Sequence, residues 1–313
     1  MFMNWCKDGA MIDIFVPSYK RADNLKTIKY FVNIGWESFN LHVVIDSEAD
    51  DKEQYERAAA KLGFHLHVFD MTQARQRYDY VHRPSTSRRS AGQARNMFYD
   101  IASSLGIDFY MVQDDDTVGY EIKHFGRYQR LADIDDILPV FEGVRDFMLR
   151  RRIGIFGISQ TGDFIGGSNT KLLRNKVMNT TFVNTSYVYK GERGVQDDDT
   201  SQFVGIMNEG LFTGSTGDGL ALKQTQSATA KGGLTELYNE CKLLNKALVC
   251  PIQFPSAIYA NRQKKNGGRV HHVIRHKYLA PRLLKGTKRD NIAWDTYPED
   301  TPFTNEPKRA WKH

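Results

Sequence analysis

The sequence has little cysteine and no long apolar run. Its three cysteines, Cys6, Cys241 and Cys250, are odd in number and widely spaced along 313 residues. That argues against a disulfide framework and against a cysteine-based zinc site, and it fits a reducing compartment. No stretch approaches the ~20 apolar residues needed to span a bilayer. Met1–Ala10 carries Lys7 and Asp8 and lacks the apolar core of a signal peptide. The expectation is a cytoplasmic protein with no membrane partner. A Gly-rich, Lys/Arg-bearing phosphate loop is also missing after the first apolar run, where Pro17-Ser18-Tyr19 stands instead. That speaks against a nucleotidyltransferase.

Lysine is absent from Arg75 to Arg95, yet that stretch holds Arg75, Arg77, Arg83, Arg88, Arg89 and Arg95, opposed only by Asp79. Arginine suits bidentate phosphate recognition better than lysine does. The net charge of +6 is concentrated further on: Asn261–His313 has thirteen Lys/Arg against five Asp/Glu. Two basic segments point to a polyanionic partner.

Short apolar runs alternate with amphipathic stretches through the first half. Strands are expected at Met11–Pro17, Leu41–Asp46, Phe64–Phe69 and Ile107–Gln113, and helices at Asp23–Ile34, Asp51–Leu62 and Ser90–Leu105, with Met71–Ser90 a polar loop. Further on, Ile134–Arg151 and Asp198–Asn208 read as helices and Ile153–Ser159 and Thr181–Tyr189 as strands. Thr161–Ser168 reads as a Gly-rich turn, Phe212–Gly233 as a loop, Leu234–Lys246 as a helix and Ala247–Phe254 as a strand. Such alternation predicts an α/β fold whose mostly parallel, Rossmann-like sheet is flanked by helices and carries functional groups at the strands' carboxyl ends. The expected organisation is a single domain over 11–260 and a basic extension over 261–313 that closes over a donor or binds an acceptor.

The pentapeptide Gln-Asp-Asp-Asp-Thr occurs twice, at Gln113–Thr117 and Gln196–Thr200. The first copy ends a buried strand, where three carboxylates repel one another unless a divalent cation neutralises them. Asp114 and Asp116 would face one way and hold Mn2+ or Mg2+ on a diphosphate; Asp115 would face the other, toward a sugar or ribose. The second copy opens a helix, where negative charge is favourable. This asymmetry suggests one metal site and one catalytic site on a common cleft. Pro17, Ser18 and Tyr19 form a strand end on which a nucleotide base can lie, with Arg21 in reach of a phosphate and Asp46 in reach of a base or ribose. Ser90–Asn96 opens a helix with small residues, and Arg95 and Asn96 are placed to address a diphosphate or sugar hydroxyls.

A strand ending in Pro-Ser-Tyr-Lys-Arg, a helix with Ala-Gly-Gln-Ala-Arg-Asn and a strand ending in Asp-Asp-Asp, in that order, resemble a GT-A-type glycosyltransferase over about 12–211. The resemblance implies a nucleotide-sugar donor such as a UDP-sugar, with the metal between its phosphates. It implies a carboxylate base in the second motif, Asp197 or Asp198, and hence inversion at the anomeric carbon. It also implies that a late histidine, His271 or His272, completes the metal shell while Arg275 and Lys277 hold the diphosphate. The doubled Gln-Asp-Asp-Asp and the basic segments further resemble the bacteriophage DNA glycosyltransferases of the TET-associated type. Those move a glucose- or arabinose-like sugar onto the hydroxyl of 5-hydroxymethylcytosine in double-stranded DNA. Under that resemblance Tyr128, Tyr187 and Tyr189 are candidates to stabilise an extruded base. The competing readings are a glycosyltransferase acting on a protein, glycan or small molecule, and a DNA-binding protein without catalysis.

Overall fold

The structure is a computed structural model. It describes residues 11–77, 91–124, 127–151, 153–159, 173, 175–186, 198–216, 247–262, 268 and 270–279. Seven strands form one sheet in the order β3-β2-β1-β4-β8-β7-β9. They are β1 (Ile12–Pro17), β2 (Phe39–Asp46), β3 (His65–Phe69), β4 (Phe109–Gln113), β7 (Ile153–Gly157), β8 (Thr180–Asn184) and β9 (Phe212–Ser215). All run parallel except β8, which is antiparallel to both β4 and β7. The order reverses between β1 and β4, so a crevice opens beyond their carboxyl ends, as expected where a sheet winds both ways.

Two apolar layers cover the sheet. On one face α1 (Lys26–Gly35), α2 (Lys52–Leu62) and α5 (Ile134–Arg151) bury Ile28, Phe31, Tyr55, Phe141 and Met148 against Ile14, Val43 and Phe182. On the other, α3 (Met71–Arg77), α4 (Ala91–Ser104) and α6 (Asp198–Asn208) contribute Ala74, Phe98 and Ile206, which meet Phe15, Val44 and Tyr110. Alternate residues of β1 divide accordingly, Ile14 to one layer and Phe15 to the other. A hairpin of β10 (Ile258–Arg262) and β11 (Val270–Ile274) packs with α6 and a helical segment over 247–253 in a third cluster. A second hairpin, β5 (Tyr120–His124) with β6 (Arg127–Leu131), follows β4.

Several expectations are corrected. Met71–Arg77 is helical, because Asp70 caps it: its carboxylate accepts from the Thr72 and Gln73 amides at 2.7 and 3.1 Å. Phe212–Ser215 is an edge strand paired with β7, although its Gly and Thr content resembles a loop. Ala247–Phe254 is helical over 247–253, a case in which a short apolar run has no decisive period. β8 stops at Asn184, whose side chain accepts from the Ser186 amide at 2.9 Å and turns the chain. α1 begins at Lys26, after a 3-10 turn at Ala22–Asn24, later than the expected start at Asp23. The β5–β6 hairpin was not expected. The β10–β11 pairing joins Ala260 to His272, across the expected boundary at 260. Thr161–Ser168 and Leu234–Lys246 lie outside the described residues. Among those described, no helix is long and apolar enough to cross a membrane.

Candidate active site

The crevice is built from the backbone outward. After β1, the Ser18 amide still bonds the Val44 carbonyl at 3.2 Å, and then the chain turns through Lys20 in the left-handed region, φ +54°. A non-glycine residue there is strained, and such strain persists where the surroundings over-determine the backbone. Here the turn sends both ends of Arg21 back to the site. Its amide donates to the Tyr55 hydroxyl at 3.1 Å, and its guanidinium bonds Asp115. Ser18 Oγ donates to Asp115 Oδ2 at 2.7 Å, so its contact with Tyr55 Oη at 2.8 Å is one in which tyrosine donates. The result is a directed chain, Arg21 N–H to Tyr55 O–H to Ser18 O–H to Asp115, in which each bond polarises the next. Burial pushes the Tyr55 phenol well up and keeps its proton in place.

The acidic triplet is clamped by α1. Thr27, wholly buried, donates through Oγ1 to the Asp114 carbonyl and accepts from the Thr117 amide at 3.0 Å, while its own amide meets the Asp115 carbonyl at 3.3 Å. Beneath the triplet, buried Gln113 gathers three hydroxyl groups: Thr180 donates to its carbonyl oxygen at 2.7 Å, Tyr120 donates to the same oxygen, and its amide donates to Thr117. The three carboxylates therefore stand on a fixed loop.

Their side chains part company. Asp114 accepts from Arg95 Nη2 at 2.7 Å, Asp115 is held by Ser18 and Arg21, and Asp116 lies 3.5 Å from Arg21 Nη1. Asp115 thus braces the strand end of β1, and the ribose-facing orientation expected for it is taken up by that internal network. Burial drives all three carboxyl groups up, Asp114 to about 6; Arg95 and Arg21 oppose the rise, and the neighbouring aspartates add to it.

The second motif is brought to the first. Arg95, from the first turns of α4, bonds Asp198 through Nη1 while it holds Asp114 through Nη2. Asp199, in the first turn of α6, accepts from Lys176 Nζ at 2.6 Å and from the Thr200 amide at 2.8 Å. Thr200 Oγ1 lies 3.2 Å from His272 Nε2, and the His271 and His272 rings are 4.4 Å apart. The C-terminal hairpin is thereby docked on the second acidic motif. Among the described residues no three His, Cys, Asp or Glu side chains are gathered as a metal shell. Arg275 lies over the Tyr259 ring at 4.4 Å, and Lys277 over Tyr278 at 4.7 Å. Asp46 is buried at the end of β2 and caps its turn through the Glu48 amide at 2.9 Å; Asn96 is buried in α4; Tyr19 lies under the Lys20 ammonium. Pro17 ends β1. Asp197, Tyr187 and Tyr189 lie outside the described residues, whereas Tyr128 is exposed on β6.

Sequence reasoning missed Thr27, Tyr55, Gln113 and Lys176. The glutamine had a signal, since it is repeated with the acids. Tyr55 had one as well, as the only aromatic residue of an otherwise polar helix.

The model of the TET-Associated Glycosyltransferase family matches residues 12–233. The chain belongs to this family. The match takes in both acidic motifs, Arg21, Arg95 and the whole β5–β6 hairpin, and stops short of β10 and β11. This TET-associated glycosyltransferase also resembles solved GT-A enzymes in fold. A mannosyltransferase from Pyrobaculum calidifontis, in complex with GDP-Man and Mn2+, is 13% identical with a TM-score of 0.50, over 78% of this chain and 63% of that one. Glucosyl-3-phosphoglycerate synthase from Mycobacterium tuberculosis, in complex with Mn2+, UDP and phosphoglyceric acid, is 12% identical with a TM-score of 0.45, over 86% and 88%. No curated protein sequence matches the chain.

Proposed function

We propose that this glycosyltransferase moves a sugar from a nucleoside-diphosphate donor, a UDP-sugar in the simplest case, onto the hydroxyl of 5-hydroxymethylcytosine in duplex DNA. The observation that carries the reading is Arg95 joining Asp114 of the first motif to Asp198 of the second. That contact puts a diphosphate-binding edge and a candidate base on one crevice. The acceptor is supported by the family's TET association and by the basic segments.

The residues fit a divalent cation. Three neighbouring carboxyl groups raised chiefly by burial, against the opposing pull of Arg21 and Arg95, are a set that a hard cation relieves. Asp114 and Asp116 would hold Mn2+ or Mg2+, with His271 or His272 of the hairpin as a further ligand. When bound, the ion supplies charge neutralisation for the leaving diphosphate.

The chain's own residues do the rest. The Pro17–Tyr19 turn and Asp46 receive the nucleoside, and Asp115 keeps that turn in place. Arg21 and Arg95 exchange part of their carboxylate contacts for donor phosphates, joined by Asn96 and, from the docked hairpin, by Arg275 and Lys277. As Arg95 turns to the diphosphate, Asp198 is released to take the acceptor proton, with Asp197 beside it in the same motif. The acceptor oxygen forms its bond to the anomeric carbon while the bond from that carbon to the diphosphate oxygen breaks. The proton goes to the carboxylate and nucleoside diphosphate leaves, so the configuration inverts. We place the reaction in the cytoplasm, in keeping with cysteines that are few, odd in number and widely spaced.

The test is release of nucleoside diphosphate from UDP- and GDP-sugars with manganese, with and without hydroxymethylated duplex. DNA-stimulated release that is lost in Asp116→Ala is expected. Donor hydrolysis indifferent to DNA would leave a glycosyltransferase with another acceptor.

A further inference from the structure

The site uses the turn after β4 and leaves unused the hairpin that follows it. The root of that hairpin is fixed: Tyr120 is wholly buried and bonds Gln113, and its cross-strand partner Leu131 is buried too. Past the root, Arg127, Tyr128, Gln129 and Arg130 are all exposed, Tyr128 by 39%. Tyr128 pairs with Lys123 and Arg130 with Glu121, so the phenol and one guanidinium share a face, and Arg127 sits at the tip. The hairpin also adjoins the site: Arg130 Nη2 donates to the Val118 carbonyl at 3.3 Å, two residues beyond Asp116.

Arginines beside an exposed aromatic ring match the two surfaces of nucleic acid, its phosphates and the faces of its bases. Arg130, two residues along β6 from Tyr128, ties that strand to the turn that carries the acidic triplet. A hydroxyl on a stacked base is open to the major groove, but it enters a recessed crevice only if that base is displaced. We infer that the β5–β6 hairpin is the element that grips acceptor duplex DNA, with Arg127 and Arg130 on backbone phosphates and Tyr128 stacked on a base unstacked beside the modified cytosine. This rests on the DNA-acceptor reading above.

The experiment measures binding of a duplex carrying one 5-hydroxymethylcytosine by fluorescence anisotropy across a salt series. The paired substitution Arg127→Glu and Arg130→Glu is expected to weaken binding more than tenfold and to reduce the slope of log affinity against log salt by about two, roughly one per lost phosphate contact. Arg57→Glu with Lys61→Glu makes the same charge change on exposed positions of α2 and is expected to leave the slope as it is. Tyr128→Ala is expected to weaken binding about tenfold at unchanged slope, while Tyr128→Phe keeps the ring and stays within about twofold of the native protein. Melting temperatures of all variants check the fold. If the native protein binds DNA and the hairpin variants bind no worse than the α2 pair, the hairpin assignment is overturned and the acceptor reading stands. If the native protein itself does not bind the duplex, the acceptor reading falls and takes the hairpin assignment with it.

Discussion

Arg95 touches two acids that lie far apart along the chain, and its geometry dictates what its replacement does. Lysine carries one compact charge and cannot span Asp114 and Asp198 as a planar fork does. Arg95→Lys is therefore expected to cut kcat by about a hundredfold, the scale set by small misplacements of reacting groups, while the protein stays folded. Arg95→Ala should also cost about 2–4 kcal/mol in urea unfolding, because two partly buried carboxylates lose their partner. Retention of native kcat by Arg95→Lys would remove Arg95 from the link between the motifs. Tyr55 is the quieter case. Tyr55→Phe deletes one hydroxyl that donates to Ser18 and accepts from Arg21. The expected loss is about 1–2 kcal/mol of stability together with a raised KM for the donor, because Arg21 is no longer held. An unchanged KM would mean that the turn at Lys20 orients Arg21 unaided.

At the scale of elements, the amino-terminal end of the sheet has chemistry of its own. Asp13 on β1 accepts from His42 Nε2 at 3.0 Å, which leaves His42 Nδ1 to accept from His67 Nε2 at 2.9 Å. His42 also stacks on Phe15 and His65. Burial, followed by the nearby His42 and His65, holds His67 down at about 4. Its folded pKa lies below the unfolded ~6.5, so the unfolded chain takes up the proton first on acidification. The stability contributed by neutral His67 is complete above pH ~6.5 and is lost as pH falls toward about 4. Urea denaturation of the native protein should show that decline, and His67→Gln should flatten it; an equal slope in both would place the effect elsewhere. On β7, a Cβ added at Gly157 would stand 2.0 Å from Val177 Cγ1 and 3.0 Å from the Thr180 carbonyl oxygen. Gly157→Ala should therefore destabilise by about 1–3 kcal/mol, read as a lower melting temperature.

These elements also mark what the sequence made legible. Strands β1 to β4 could be read as short apolar runs, and helices α2, α4, α5 and α6 as the longer amphipathic stretches that follow strands. The helix at Met71–Arg77 depends on the single carboxylate of Asp70, easily overlooked in an arginine-rich stretch. The segment over 247–253 has apolar residues on successive positions, so no period separates strand from helix. The β5–β6 hairpin was hidden because its exposed strand, Arg-Tyr-Gln-Arg, reads as polar loop and only pairing gives it form.

For the molecule as a whole, the aspartate triplet, Arg21 and Arg95 were legible because charge at a strand end needs an explanation. The brace Thr27 was not, because a residue brought to the triplet only by folding shares no spacing with it along the chain; Gln113 and Tyr55 left a trace in the sequence but not their role. In the proposed function, DNA receives the sugar at that braced edge. The most direct measurement is the mass of nucleosides released from a hydroxymethylated duplex after incubation with the enzyme, manganese and a panel of nucleotide-sugars. The account predicts that 5-hydroxymethylcytosine gains the mass of one sugar residue, that unmodified cytosine in the same duplex gains none, and that Asp116→Ala abolishes the gain. Unaltered 5-hydroxymethylcytosine under conditions where the enzyme consumes its donor would contradict it.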